Sequence, residues 1–336
     1  MVPARVEFRP ASCTTATDSR LRTVTHLVLT QGDPEGIGPE LLLRVAAAGL
    51  LDEHDVVVAG RDHLHALARA LDHEWATRGL ARLEPCLRGA PRLGQFAALE
   101  LGVDLVLASP AAALVTAPID KARASAEGLR HPGHTEYLAE RAATDDFAML
   151  MAGPILRVVL ATIHVPLRRV AERLDAAAIV KAGRLLANAL LHDYQIARPR
   201  VGVLGLNPHA GEQGLLGDEE QTIIADALVQ LRGWASDAAP SVSFAGPLPA
   251  DAGFPRHRAG ELDGLVAMYH DQGLGPFKLL HFQDGANVTL GLPFVRTSPD
   301  HGTARDIAGK GIADPSSMIA AIELARRLAA GRAGCG

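Results

Sequence analysis

Short β-type runs alternate with Ala-, Leu- and Arg-rich helical stretches along the whole chain. That alternation confines it to the α/β class with a mainly parallel sheet. The strand candidates are His26 to Thr30, Asp55 to Ala59, Leu114 to Thr116, Leu156 to His164, Val201 to Leu206 and Leu265 to Tyr269. Glu40 to Ala48, Leu64 to Leu71, Glu136 to Ala143, Ala176 to Leu191, Glu219 to Arg232 and Pro315 to Leu328 repeat apolar residues at helical spacing. The 336 residues allow one large domain or two intertwined ones. No repeat or low-complexity linker is visible, so two domains would share the chain through crossovers.

Charge and composition exclude several classes of function. Apolar residues at 48% and charged residues at 21% fit a compact soluble protein, not a disordered one. A net charge of −5 gives no general attraction to nucleic acid or anionic lipid. No apolar run reaches the ~20 residues of a membrane span. Met1 to Thr25 lacks the apolar core of a secretory signal and reads as a loose, dispensable tail. Cys13, Cys86 and Cys335 are too scattered for a disulfide framework or a cysteine zinc site, so a reducing cytoplasmic location is expected.

Three strand candidates run into histidines: His164, His209 (after Asn207 and Pro208) and His270. Ligands of α/β sheets bind beyond strand carboxyl ends, so the three can converge and hold a divalent ion such as zinc. The plainer reading is three hydrogen-bonded loop histidines among the 14 in the chain. Asp271 can orient a neighbouring imidazole, while Gln272 reads as a turn residue. Lys278, Asn287 and Arg296 follow at nine-residue intervals in a stretch read as β-rich, and their chemistry suits a carboxylate or phosphate. Two turns open helices in the manner of anion sites. One is Gly32 to Glu40, with Pro39 suited to the first helical position; the other is His131 to Glu136, where Thr135 is placed to cap beside His134. Neither has the G-x-G-x-x-G dinucleotide spacing.

The segments LTQGDPEGIGPELL, VTAPIDKA, HPGHTEYLAE, VVLATIHVPL, GLNPHAGEQGLLGDEE, GPLPAD, AMYHDQGLGPFKLL and GANVTLGLPFVRTSPDHGTARDIAGKGIADPSSM occur in one order from about Leu27 to Leu328. Together they resemble the 4-hydroxythreonine-4-phosphate dehydrogenase family of vitamin B6 synthesis. The resemblance implies a metal on His164, His209 and His270, with zinc foremost and magnesium, cobalt, manganese or nickel as alternatives. It implies a homodimer that completes the site at its interface, and a phosphorylated substrate on His134, Thr135, Lys278, Asn287 and Arg296.

Asp300 to Asp314 is similar to the adenosine-binding loop of isopropylmalate and isocitrate dehydrogenases. That likeness assigns NAD or NADP to His301, Gly302, Thr303, Ala304, Asp306 and Gly309, on a fold of two α/β/α domains sharing a cleft instead of a Rossmann fold. The domains it implies are 26–135 plus 296–330, built from both chain ends, and 136–295, preceded by the tail 1–25.

The implied reaction oxidises 4-phosphooxy-L-threonine to 2-amino-3-oxo-4-phosphooxybutanoate, which loses CO₂ to give 3-amino-2-oxopropyl phosphate. Lys278 is the candidate proton acceptor, because a cation beside a metal and Arg296 gives up its proton more readily. Asp251 and Asp271 are rival bases. Asp120 departs from the histidine or asparagine common in the family, which puts the surroundings of Lys121 in question. A catabolic paralogue acting on threonate or erythronate 4-phosphate is the nearest alternative. A metal-dependent phosphatase or acyltransferase is an alternative of another class, and a non-catalytic metabolite-binding protein is a third.

Overall fold

The structure is a computed structural model describing residues 26–109 and 112–334. The tail, Cys13 and Cys335 lie outside the described residues; Cys86 is buried as a free thiol. Among the described residues, eleven strands make one sheet: β1 (His26–Thr30), β2 (Val56–Val58), β3 (Leu87–Arg88), β4 (Ala112–Thr116), β5 (Ala148–Ala152), β6 (Arg157–Leu160), β7 (Arg200–Leu204), β8 (Ser243–Leu248), β9 (Gly264–Ala267), β10 (Ala286–Leu290) and β11 (Val295–Pro299). Among the described residues, twelve α-helices cover it: α1 (Gly38–Ala47), α2 (Arg61–Leu71), α3 (Glu74–Leu83), α4 (Gln95–Leu107), α5 (Lys121–Ala126), α6 (His134–Arg141), α7 (Val170–Arg173), α8 (Ala176–His192), α9 (Ala225–Ala238), α10 (Ala250–Arg258), α11 (His270–Leu280) and α12 (Ser316–Ala333).

The strand order is β3-β2-β1-β4-β11-β10-β5-β6-β9-β7-β8. β3, β2, β1, β4 and β11 are mutually parallel, as are β6, β9, β7 and β8. Between the two blocks, β10 is antiparallel to β11 and β5, and β5 is antiparallel to β6, so the blocks run in opposite directions. This is the expected α/β fold, without a Rossmann fingerprint. The interior strands are short and apolar because helices cover both faces; Leu27, Val28 and Leu29 are fully buried.

Two elements differ from their sequence reading. Lys278 lies on helix α11, not in a β-rich stretch. Gly273, Gly275 and Pro276 weaken the helical signal there, and packing of Phe277 into the core overrides it. The histidines do not end strands. His164 sits in a left-handed turn (φ 46°) beyond β6, His209 lies in a loop beyond β7, and His270 opens α11. Among the described residues, no helix is long and apolar enough to cross a membrane.

Candidate active site

Where strand direction reverses, a cleft of about 520 Å³ opens over the middle of the sheet. Thr116 at the end of β4, Met149 of β5, Asn287 of β10, and Arg296 and Ser298 of β11 supply its floor. His134 and Thr135 enter from α6, His164 from its turn, and His301 and Gly302 from the loop after β11. Five positions expected to grip a ligand or metal therefore share one space with the start of the expected dinucleotide loop.

Arg296 is the buried cation of the cleft. Its two terminal nitrogens donate to Thr289 Oγ1 (3.0 Å) and Thr116 Oγ1 (2.7 Å), and its Nε has no protein partner. Burial pushes its pKa down to about 10, and the carboxylate of Glu136 partly offsets that. It therefore stays charged at neutral pH. Burial also holds the pKa of His134 well below the usual imidazole value, with Arg296 and Lys121 pushing the same way. Its Nε2 is a second buried atom without a protein partner. A guanidinium and an imidazole with unspent polar atoms, beside an asparagine and a threonine, form a receptor for an oxyanion.

Thr135 does not cap α6. The cap position is Gly133, with no side-chain hydrogen bond, and Thr135 lies inside the first turn. Sequence reasoning missed Thr116 and Thr289. The available signal was a hydroxyl at the end of a fully buried strand, a costly placement without a partner. It also missed Glu136 as a cleft residue.

The rings of His164 and His270 approach to 5.6 Å between centroids. His270 Nδ1 meets Asp271 Oδ1 at 2.7 Å, which leaves Nε2 available as a ligand atom. His209 is exposed in a turn whose residues His209 to Gln213 all adopt left-handed angles. Buried Glu220 pins that turn by accepting from the main-chain N–H of Leu206 and Asn207, both at 2.7 Å. Among the described residues, no group of three or more His, Cys, Asp or Glu side chains converges as a metal site. One chain thus brings two of the three expected ligands together. Gln272 is structural, donating to Gly205 O and accepting from Met268 N–H, both at 2.7 Å. Asp251 is exposed on α10.

The neighbour of Lys278 is Asp300, not Arg296. Lys278 Nζ lies 2.5 Å from Asp300 Oδ2 and donates to the Asp300 carbonyl at 2.6 Å. The loop that follows is docked on the turn before α1. Thr303 O accepts from Ile37 N–H at 2.9 Å, Arg305 pairs with Glu35, and Ala304 and Gly309 take positive φ. Asp306 is exposed. Buried Glu40 accepts from the N–H groups of Gly311 (3.1 Å) and Ala313 (3.0 Å).

In the turn before α1, expected to resemble an anion site, the glycines let the chain approach itself. A Cβ on Gly32 (φ 66°) would lie 2.2 Å from Pro118 O, and one on Gly36 would lie 2.9 Å from Thr303 O. Asp120 caps α5 by accepting from Arg123 N–H at 2.9 Å, and its Oδ2 is 3.8 Å from Arg305. The unusual acid is thus engaged with the loop arginine, while Lys121 lines the cleft.

The family model described as "Pyridoxal phosphate biosynthetic protein PdxA" matches residues 91–325. A 4-hydroxythreonine-4-phosphate dehydrogenase of Xanthomonas campestris pv. campestris (strain B100) is 41% identical over 326 residues, covering 91% of this chain and 99% of that relative. One from Bradyrhizobium diazoefficiens is 44% identical over 342 residues, covering 91% and 97%. The solved 4-hydroxythreonine-4-phosphate dehydrogenase from Klebsiella pneumoniae superposes with a TM-score of 0.78 at 35% identity, over 91% of this chain and all of that one.

Proposed function

This chain belongs to the PdxA family, an oxidoreductase family, and from that premise we propose that it oxidises 4-phosphooxy-L-threonine with NAD or NADP and a divalent metal. The cleft observation that carries the reading is the pairing of Arg296 Nε and His134 Nε2, two buried atoms free to take a phosphate. Asn287 and Thr135 complete that grip; Lys278 does not line the cleft and is assigned to the remainder of the substrate by the family resemblance alone.

His164 and His270, with Nε2 of His270 left open by Asp271, fit an imidazole-bound metal, zinc foremost. His209 completes the set at the interface of a homodimer. His301, whose Nε2 is buried without a protein partner, fits the start of a dinucleotide cradle that continues through Gly302, Thr303, Ala304, Asp306 and Gly309. When bound, the dinucleotide accepts hydride and the metal stabilises negative charge on the reacting oxygen.

The protein's own part is to hold the phosphate on Arg296 and His134 so that the secondary alcohol faces both groups. Hydride leaves the alcohol carbon, and the hydroxyl proton passes to the protein; of the three candidates Lys278, Asp251 and Asp271, the two carboxylates are the groups available to take it, while Lys278, paired with Asp300, serves as a donor to the substrate. The β-keto acid then loses CO₂, leaving 3-amino-2-oxopropyl phosphate. Reversal of strand direction at β10 supports a division into 26–135 plus 296–330 and 136–295, with the cleft at their junction. The proposed setting is the cytoplasm, in pyridoxal phosphate biosynthesis.

The deciding experiment follows NADH formation from 4-phosphooxy-L-threonine before and after chelation, with zinc or magnesium restored. Metal-dependent turnover that exceeds turnover of threonate 4-phosphate is the expected result. Preference for the hydroxy acid would move the assignment to the catabolic reaction, and release of inorganic phosphate without NADH would reject dehydrogenation.

A further inference from the structure

Asp300 is the residue at which the substrate side and the loop side of the cleft meet. It follows β11, whose Arg296 and Ser298 line the cleft, and it precedes His301 and Gly302, which line it too. Its main chain is fixed: Asp300 N–H donates to Ser317 Oγ at 3.0 Å, and that buried hydroxyl donates to Gly285 O at 3.2 Å. Residue 300 is thereby tied both to the start of α12 and to the turn before β10. Among the described residues, Lys278 is the one cation within ion-pair distance of its carboxylate.

A lysine ammonium has three N–H donors. Asp300 engages Lys278 in two ways: its carbonyl accepts a hydrogen bond from Nζ at 2.6 Å, and its carboxylate Oδ2 lies in ion-pair contact at 2.5 Å without completing a hydrogen bond. The carbonyl takes one N–H and leaves donors for another partner. A lysine on a four-carbon stem otherwise samples many rotamers, so a hydrogen bond and an ion pair to one residue select where the ammonium sits and where its other donors point.

We propose that Asp300 is a positioning residue for the reaction: its carbonyl and carboxylate fix the Lys278 ammonium so that a remaining N–H faces the substrate, and it links that lysine to the dinucleotide loop. The proposal rests on the reading of Lys278 as a substrate contact. Asp300 touches neither substrate nor reacting atoms in this role and acts through Lys278 alone.

The test is a double-mutant cycle of Asp300→Asn and Lys278→Met, read as kcat/KM for 4-phosphooxy-L-threonine, with the KM for each substrate and the melting temperature recorded. Asp300→Asn is expected to lower kcat/KM about tenfold or more. The phosphorylated substrate's KM should rise, the KM for NAD should stay within about twofold and melting should be unchanged. In the Lys278→Met background the same change should have no further effect, and Asp300→Glu should recover part of the loss. A merely structural Asp300 would shift melting and both KM values, in either background. Equal losses in the two backgrounds, or no loss in the first, would overturn the proposal while leaving Lys278 on the substrate. If Lys278→Met itself leaves kcat/KM unchanged, the substrate role of Lys278 is wrong and the role of Asp300 falls with it.

Discussion

Arg296 shows how much one buried side chain can decide. Its guanidinium is held by two threonine hydroxyls from neighbouring strands, so geometry selects arginine over any other cation. Lysine would keep the charge but could not span Thr116 and Thr289 while presenting a third nitrogen. Arg296→Lys is therefore expected to lower kcat/KM for the phosphorylated substrate about a hundredfold, chiefly through KM. Steady-state kinetics check this, and an unchanged KM would remove Arg296 from the phosphate grip. The sequence made Arg296 a candidate through its residue type. It could not show that Arg296 is buried while Lys278 is paired, because both facts depend on β10, β11 and α11 meeting.

At the scale of elements, the loop after β11 is set by α1. Glu40 is fully buried, and its carboxylate accepts from two main-chain N–H groups of the loop and from Arg44 Nε at 3.0 Å. A buried carboxylate with three donors is stabilising only while all three are present. Glu40→Gln replaces one acceptor oxygen by a donor facing N–H groups, and a loss of about 3 kcal/mol in urea denaturation is expected. An unchanged midpoint would show that the loop is held without this carboxylate. Helix α1 was legible from the apolar spacing of its core residues. Its hold on residues more than two hundred positions away was not, since nothing local marks Glu40 as buried.

Stability of the whole molecule should depend on pH through histidines that fold into neutral environments. His257 accepts from Arg157 N–H at 2.9 Å, and its other ring nitrogen donates to Leu262 O at 2.8 Å, so the neutral ring is fully used. Burial, with Arg157 adding to it, lowers its pKa against the hydrogen bond to Leu262. The pKa of His134 is lowered as well. Below an unfolded value of about 6.5, the unfolded chain takes up protons that the folded chain refuses. Stability is therefore full above that pH and falls as pH drops towards the folded values, by at most about 1.4 kcal/mol per pH unit for each histidine. Urea midpoints from about pH 8 to about pH 5 should show the slope, and His257→Gln should flatten it. An equal slope in the variant would show that His257 does not contribute.

Legible along the chain were the α/β class, the helices with strong apolar spacing, the family and a minority of the residues that line the cleft, because short-range periodicity and motif order are local. The tertiary structure decided how strand direction reverses at β10 and β5. It also decided that Lys278 sits on a helix beside Asp300, and that His164 meets His270 while His209 stands apart in its turn. Those outcomes depend on which distant segments pair and which side chains lose water together. They are free-energy differences of the assembled core, to which no local window of sequence has access.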